Sequence, residues 1–310
     1  MQGVSGLSFS YNAKAELCRL EEGGACCALA ECYGMLLYGN TFNTREIKLI
    51  TGSSAVGQKV IERFRQAFSI SFDIVPGAED TGKQAYCIQS TEKLAKVFEA
   101  FGLSPDRLLA HHLNLGVLED ECCRISYIRG AFLTGGAISD PSKSYHLELV
   151  TDRFNVSRQT LKLLLDMGFA PKEASRNGNY IIYFKQSTAI EDLLTLIGAP
   201  VHAMQLMSAK IEKDVRNTVN RKVNCDTANV TKLVDAAAAQ MSAINKIIAA
   251  GAFDVLPDKL KETARLRLDY PEMSLKELAD AMTPPVTKSC LNHRLRKLME
   301  VSKGVARTEL

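Results

Sequence analysis

The chain has 310 residues, 46% of them apolar, and its 38 basic and 35 acidic side chains leave a net charge of +3. That length and apolar content suffice for a sizeable core in about two domains, while so small a net charge excludes a uniformly basic or acidic protein and by itself names no partner. No window holds the roughly 18 apolar residues of a membrane span, and the first residues lack a basic start followed by an apolar run, so the expectation is a cytoplasmic protein with no membrane partner.

The opening stretch, residues 1–19, reads as an N-terminal helix. Residues 20–200 contain an internal repeat. "CCALAECYGMLLYGN", beginning at Cys26, lies over "CCRISYIRGAFLTGG", beginning at Cys122, at an offset of 96 residues. Both cysteine pairs align, as do Gly34 with Gly130, Leu37 with Leu133 and Gly39 with Gly135. Further on, "YCIQST" from Tyr86 matches "YFKQST" from Tyr183 at an offset of 97, so the register holds across a whole unit.

In the first unit a helix to about Tyr38 precedes the strand-like "TFNTREIKLITG". A serine-capped helix follows, with Val56, Val60, Ile61, Phe64 and Phe68 at helical spacing. "SFDIVPG" and "QAYCIQS" read as strands, and Thr91–Phe101 as a helix ended by Gly102. The second unit repeats the order with "SYHLELVTD", the helix "VSRQTLKLLLDMG", strands around "APKEAS" and "NYIIYFK", and the helix "STAIEDLLTLIG". The expected fold class is α+β, with two pseudo-symmetric α-β-β-α-β-β-α repeats followed by an all-α helix-turn-helix domain.

Glycine inside a helix costs roughly 0.5 to 1 kcal/mol relative to alanine, so the glycines of "YIRGAFLTGG" need a compensating reason. Close approach of two helix backbones at a pseudo-twofold supplies one. Gly34, Gly130 and Gly136 are therefore expected at the repeat interface.

Nine cysteines raise the question of disulfides or zinc, but the count is odd and no Cys-x-x-Cys pair exists to seed a tetrahedral site. They are expected to be reduced, mostly buried and apolar in role, and no metal or other cofactor is expected.

Past Pro200 the strand patterns end. Residues 201–254 read as a helical linker, with a possible break at Asn224–Asp226 and a C-cap signal at Gly251. Residues 255–310 carry the most informative segment, the helix-turn-helix pattern from Ser274 to Gly304. Ser274 and Glu277 form a capping box, Ala279 is small enough for a helix crossing, and Pro284–Pro285 enforce a turn. Thr287 caps a second helix whose Leu291, Leu295 and Leu298 make one buried stripe. From Thr287 to Arg307 there are six basic residues (Lys288, Arg294, Arg296, Lys297, Lys303 and Arg307) against one acid, Glu300.

Lys276, Thr287, Lys288, Ser289, Asn292, His293, Arg294, Arg296, Lys297 and Lys303 are the candidate DNA-binding residues, of types that read base edges and grip phosphates. The bland reading is a solvated basic face. His293 has no second ligand spaced with it and reads as a backbone or phosphate contact, not a metal ligand.

The glycine-rich repeat helices resemble those of the LAGLIDADG homing endonuclease fold, in which the penultimate acid of each motif holds a divalent metal against DNA. Gly130 to Gly136 fits the glycine-to-glycine spacing, and Gly34 to Asn40 fits in the first copy with Asn40 departing from the final glycine. The acid positions are Gly39 and Gly135, so the resemblance implies lost catalytic groups, no catalytic residues and no enzyme. Asp140 and Glu148 are the nearby acids, the first in a turn and the second in a strand.

With the C-terminal pattern added, the chain resembles the WhiA family of bacterial regulators. "SFSYNAKAELCRL", "RGAFLTGGAISDPSKSYHLE" and "PPVTKSCLNHRLRKL" carry the resemblance, and the family's C-terminal module resembles region four of sigma factors. It implies a cytoplasmic, nucleoid-associated protein that binds double-stranded DNA and acts in transcription regulation, cell division and chromosome segregation, with sporulation in some lineages. RNA polymerase or another regulator is a further partner to consider. An active endonuclease, or an N-terminal domain serving as a protein-interaction platform, are the competing readings, with Arg45, Lys48, Lys143 and Lys185 either DNA-facing or merely solvated. The oligomeric state is left open.

Overall fold

Thirteen residues with almost no polar face form helix α2, Ala25–Leu37, and a helix apolar on every side has to be buried on every side. Its counterpart α5, Glu121–Gly135, lies directly against it, and from Ala28 and Cys123 onward most of their side chains are sealed from solvent. The rest of the N-terminal unit is built around this pair. The computed structural model describes residues 8–21, 23–77, 82–103 and 110–305.

The chain divides into two compact units, Met1–Asp214 and Val215–Leu310. In the first, α1 (Phe9–Cys18), capped by the Ser8 hydroxyl, precedes α2. Strands β1 (Thr41–Phe42) and β2 (Ile47–Thr51) follow, then α3 (Ser54–Phe68), β3 (Gln84–Ile88) and α4 (Thr91–Ala100). After α5 come β4 (Gly136–Ile138), β5 (Leu147–Thr151), α6 (Phe154–Asp166), β6 (Lys172–Arg176), β7 (Asn179–Phe184) and α7 (Ser187–Ile197).

Both sheets are antiparallel, ordered β1-β2-β3 and β4-β5-β7-β6. Leu49 pairs with Tyr86 in one and Leu149 with Ile182 in the other, one residue before the Tyr183 that the 97-residue offset matches to Tyr86. The alternation of β5, with Leu147, Leu149 and Thr151 buried and Glu148 and Val150 half-buried, is the mark of a sheet packed on one face. The repeats are not identical. The expected strand at "SFDIVPG" is reduced, among the described residues, to a single bridge between Ile74 and Cys87, whereas its counterpart β6 pairs with β7 along its whole length.

Glycine sets the distance between the two central helices. A Cβ on Gly34 would sit 2.1 Å from the Tyr127 carbonyl oxygen, and one on Gly130 would sit 2.0 Å from that of Glu31. The pair is symmetric, each glycine receiving a carbonyl of the facing helix. Gly136 differs from the expectation: it opens β4, and the atoms nearest its absent Cβ belong to Phe132 of its own chain turn. It ends the helix and releases the chain into the sheet.

Beside this backbone contact lies a buried ionic knot. Glu31 on α2 is inaccessible to solvent, and its Oε2 lies 3.2 Å from Arg63 Nε on α3 and 3.4 Å from Arg129 Nη1 on α5. Arg129 also donates through Nε to the Ile197 carbonyl at the end of α7. One carboxylate thereby ties three helices from both repeats, and removing it would leave two cations without their shared partner.

Helix α8 runs unbroken from Pro200 to Ala249. The expected interruption at Asn224–Asp226 does not occur. Between Val201 and Ala249 the sequence contains neither proline nor glycine, and exposed Asn and Asp each cost a helix less than about 0.7 kcal/mol. Ala203 and Leu206, near its start, join the core of the first unit, and Ile244 and Ile247, near its end, join that of the second.

Replacing Gly130 with alanine should destabilise the N-terminal unit by about 1–3 kcal/mol, the range for overpacking a close-packed site, whereas Gly304→Ala in α11, whose Cβ would meet nothing, should not destabilise and should gain up to about 1 kcal/mol in urea unfolding. Glu31→Ala should cost about 3–5 kcal/mol in the same measurement, because it strands buried arginines. A near-neutral outcome for either variant would show that the helix pair has slack the structure does not contain.

Candidate nucleic-acid interface

The second unit ends in three short helices whose boundaries follow from local chemistry. Pro257, with its fixed φ, starts α9 (Asp258–Asp269), and Pro271 follows its end. Helix α10 (Leu275–Asp280) carries a complete capping box: the Ser274 hydroxyl accepts from Glu277 N–H, and the Glu277 carboxylate accepts from Ser274 N–H at 2.8 Å. Those bonds to the Ser274 backbone and hydroxyl hold the Glu277 carboxyl below its ordinary pKa. Helix α11 (Lys288–Val305) begins where the Thr287 hydroxyl accepts from Cys290 N–H.

Leu291, Leu295 and Leu298 are buried with Leu278, Ala279, Met282, Leu260 and Ala264 in a core that also takes Ile244 and Ile247 from α8. Ala279 accommodates the turn directly, since its carbonyl accepts from Val286 N–H at 3.0 Å. Burial of the leucine stripe turns the other face of α11 outward. Thr287, Lys288, Ser289, His293, Arg296, Lys297 and Lys303 are exposed, Asn292 and Arg294 half-buried, and Lys276 is exposed on α10. None of Lys276, Lys288, Arg294, Arg296, Lys297 or Lys303 has an ion-pair partner among the described residues.

Three residues of this module escaped the sequence reading. Arg267 on α9 is 2% exposed and donates to the carbonyls of Met273 (2.9 Å) and Pro271 (3.4 Å), holding the loop that leads into the capping box. Its burial, without a carboxylate, lowers its pKa from the arginine range. Lys232 and Gln240 on α8 line a cavity of about 260 Å³ together with Arg267, Ser274, Lys276 and Lys288. Lys232 thus joins two of the expected cationic residues around one concavity beside the start of α11. The signal for Arg267 would have been a lone arginine on the apolar face of α9, one turn before a loop rich in carbonyls.

At the C-terminal ends of α2 and α5 the structure contains a second concavity, of about 380 Å³, lined among others by Gly39, Asn40, Thr134, Gly135, Gly136 and Asp152. Here the two glycines at the acid positions come together. Neither leaves room for a side chain as packed: a Cβ on Gly39 would meet Leu49 at 2.2 Å, and one on Gly135 the Val150 carbonyl at 2.5 Å. The carbonyls at the end of α2 and just past it are held by a cation, as Arg153 Nη1 donates to Leu37 (2.9 Å) and Gly39 (3.1 Å). Asp152, the one carboxylate in the lining, is paired with Arg153 at 3.2 Å.

The other nearby acids are engaged elsewhere. Asp140 accepts from the Ser142 N–H and hydroxyl inside its own turn, bonds that lower its pKa, and Glu148 lies 3.1 Å from His146 Nε2. Where a metal would need convergent oxygen ligands, this end presents an arginine, backbone carbonyls and one neutralised aspartate.

Of the basic residues on the strands and their loops, Arg45, Lys143 and Lys185 are exposed and Lys48 half-buried. They are interleaved with Glu46, Glu148 and Glu173, and Lys185 Nζ sits over the Tyr183 ring at 5.4 Å. The cysteines also depart from expectation. Only Cys32, Cys87 and Cys123 are buried, while Cys26, Cys122, Cys225 and Cys290 are exposed.

Residues 124–216 match the family model of the WhiA LAGLIDADG-like domain, and residues 219–302 match that of the WhiA C-terminal HTH domain. Among curated relatives, the probable cell division protein WhiA of Ruminiclostridium cellulolyticum is 36% identical over 307 residues, covering 96% of this chain and 98% of its own. That of Clostridium perfringens is 36% identical over 309 residues, covering 96% and 98%. Among solved structures, full-length DUF199/WhiA from Thermatoga maritima superposes with a TM-score of 0.58 at 22% identity, covering 96% of this chain and 98% of that one. With one family model on each side of the boundary between the units and full-length relatives above a third identical, the chain belongs to the WhiA family.

Proposed function

We propose that this protein is a nonenzymatic DNA-binding regulator whose α11 lies in the major groove of double-stranded DNA. The observation that carries the reading is the outward face of α11, where Lys288, Arg294, Arg296, Lys297 and Lys303 stand without intramolecular acid partners. Unpaired cations along a helix that is anchored by a leucine stripe suit phosphate contact, and Asn292 and Arg296 have the donor geometry for adenine and guanine edges. Lys232, Lys276 and Lys288 around their shared cavity add phosphate grips at the start of that helix. His293 belongs to the same face, as a phosphate contact.

The N-terminal unit is the scaffold of a nuclease fold working without nuclease chemistry. Glycine occupies both acid positions, and Arg153 holds the helix carbonyls beside them. The relatives' name, probable cell division protein, supports cell division as the regulated process; the level of action in this reading is transcription of division and chromosome-segregation genes, and of sporulation genes where the lineage sporulates. Nucleoid association follows from DNA binding. The mixed charge of the outer sheet faces, with Tyr183 and Glu148 among lysines, suits a protein partner such as RNA polymerase or another regulator better than a phosphate backbone.

Arg296→Ala and Asn292→Ala should each weaken binding to a target duplex by about 1–3 kcal/mol and relax sequence discrimination, while Lys288→Ala should lower the salt slope by about 1 without changing discrimination. Fluorescence anisotropy across a salt series measures all three, and unchanged affinity and slope would remove α11 from the interface. With Mg²⁺ and long duplex DNA, the purified chain should leave both strands intact. Sequence-specific nicking would restore the endonuclease reading.

A further inference from the structure

The internal repeat places a pair of adjacent cysteines at the start of each central helix, and the fold brings the two pairs together. Cys26 and Cys27 occupy the second and third positions of α2, and Cys122 and Cys123 the same positions of α5. All four sulfurs lie within 4.8 Å of one another, with 4.0 Å between the sulfurs of each adjacent pair. Among the described residues this is the one group of three or more side chains able to share a metal ion.

We propose that Cys26, Cys27, Cys122 and Cys123 form a tetrathiolate site for a single zinc ion that clasps the two repeats. A Zn–S bond of about 2.3 Å in a tetrahedron sets the sulfurs about 3.8 Å apart, so the cluster needs to contract by less than about an ångström to close on the ion. An iron–sulfur cluster spreads its four protein ligands over several irons, beyond the separations present here. Four soft thiolates in this arrangement select zinc over hard cations such as magnesium or calcium.

The surroundings suit the net negative charge of such a centre. The four cysteines lie in the first turns of both helices, where each dipole places roughly half a positive charge, with Glu121 the one acid in those turns and no side-chain cap at either start. Just below, Arg63 and Arg129 share a single buried carboxylate, Glu31, and both arginines line a cavity with Cys27, Cys122 and the exposed Glu21. Gly23 lets the chain pass over the site, since a Cβ there would come within 3.1 Å of Cys27 Cβ. Cys26 and Cys122 are exposed, which gives an ion a path in.

The site stands at the opposite end of the helix pair from the glycine-floored cavity, roughly 20 Å away along helices of this length. It is therefore separate from the position where the nuclease fold would hold a catalytic cation, and all four positions around the ion are taken by protein. Such closed sites are structural. Its role is to hold the N-terminal ends of α2 and α5 together, where the glycine contacts further along do not reach. Binding needs the protons of the four thiols to leave, so affinity falls as pH is lowered.

Full-length protein, reduced and freed of metal, should take up about one Co²⁺ per chain with the intense sulfur-to-cobalt charge transfer and tetrahedral visible bands of a tetrathiolate, and zinc should displace it. Cys26→Ser and Cys122→Ser should each lower zinc affinity by more than about 100-fold, beyond what disturbing a ligand's support costs, while Cys225→Ser should not change it. Wild-type protein supplies an independent readout if a variant fails to fold. Zinc should shield the exposed Cys26 and Cys122 from alkylation while the exposed Cys225 and Cys290 react. Absence of the cobalt spectrum in the reduced chain, iron in place of zinc in protein purified from cells, or equal alkylation of all the exposed cysteines with and without zinc would overturn the assignment.

Discussion

The contact between two helix backbones at Gly34 and Gly130 is the constraint on which the N-terminal unit rests. With each absent Cβ facing a carbonyl oxygen of the other helix at about 2 Å, no larger residue fits without separating the pair. That closeness brings everything else into register: the Glu31 knot across three helices, the meeting of Gly39 and Gly135 at one end, and the meeting of four cysteines at the other. The glycine contact is reciprocal between the repeats, whereas the Glu31 knot is made by one copy alone, since the 96-residue offset puts Tyr127 in the position of Glu31.

The two ends of this helix pair have diverged chemically. At the C-terminal end, the negative ends of the helix dipoles meet Arg153, which donates to the carbonyl of the last α2 residue, Leu37, and to that of Gly39 just beyond, and pairs with Asp152. A cation already held there by the protein opposes the binding of another. At the N-terminal end, the dipoles favour anionic ligands, and the sequence supplies thiols. The second unit follows a different plan, in which a small leucine core fixes which side of α11 faces out, and a capping box and the buried Arg267 fix the turn before it.

Much of this was legible because it is periodic or local. The 96-residue offset exposed the repeat, helical glycines pointed to close packing, and Ser274 with Glu277 marked the start of a helix whose partner carries leucines at regular spacing. Local rules also misled. Asn224–Asp226 reads as a break, yet without proline or glycine nothing interrupts α8. Gly136 reads as part of the packing motif, yet it lies one residue past the helix end. Spacing rules for zinc sites assume ligands close in sequence, so they do not register that the two cysteine pairs, 96 residues apart, meet through the fold. Arg153, Arg267 and Lys232 carry no motif, since their roles depend on which carbonyls or cations the tertiary structure brings to them.

On the proposed function, DNA is contacted through α11 and not through the sheets of the N-terminal unit. Photo-crosslinking of the full-length protein to duplex DNA from its native promoters, with the crosslinked peptides identified by mass spectrometry, tests it most directly. Adducts are expected on α11 and around Lys232 and Lys276. Adducts confined to β2, β3, β5 and β7, with α11 unmodified, would contradict it.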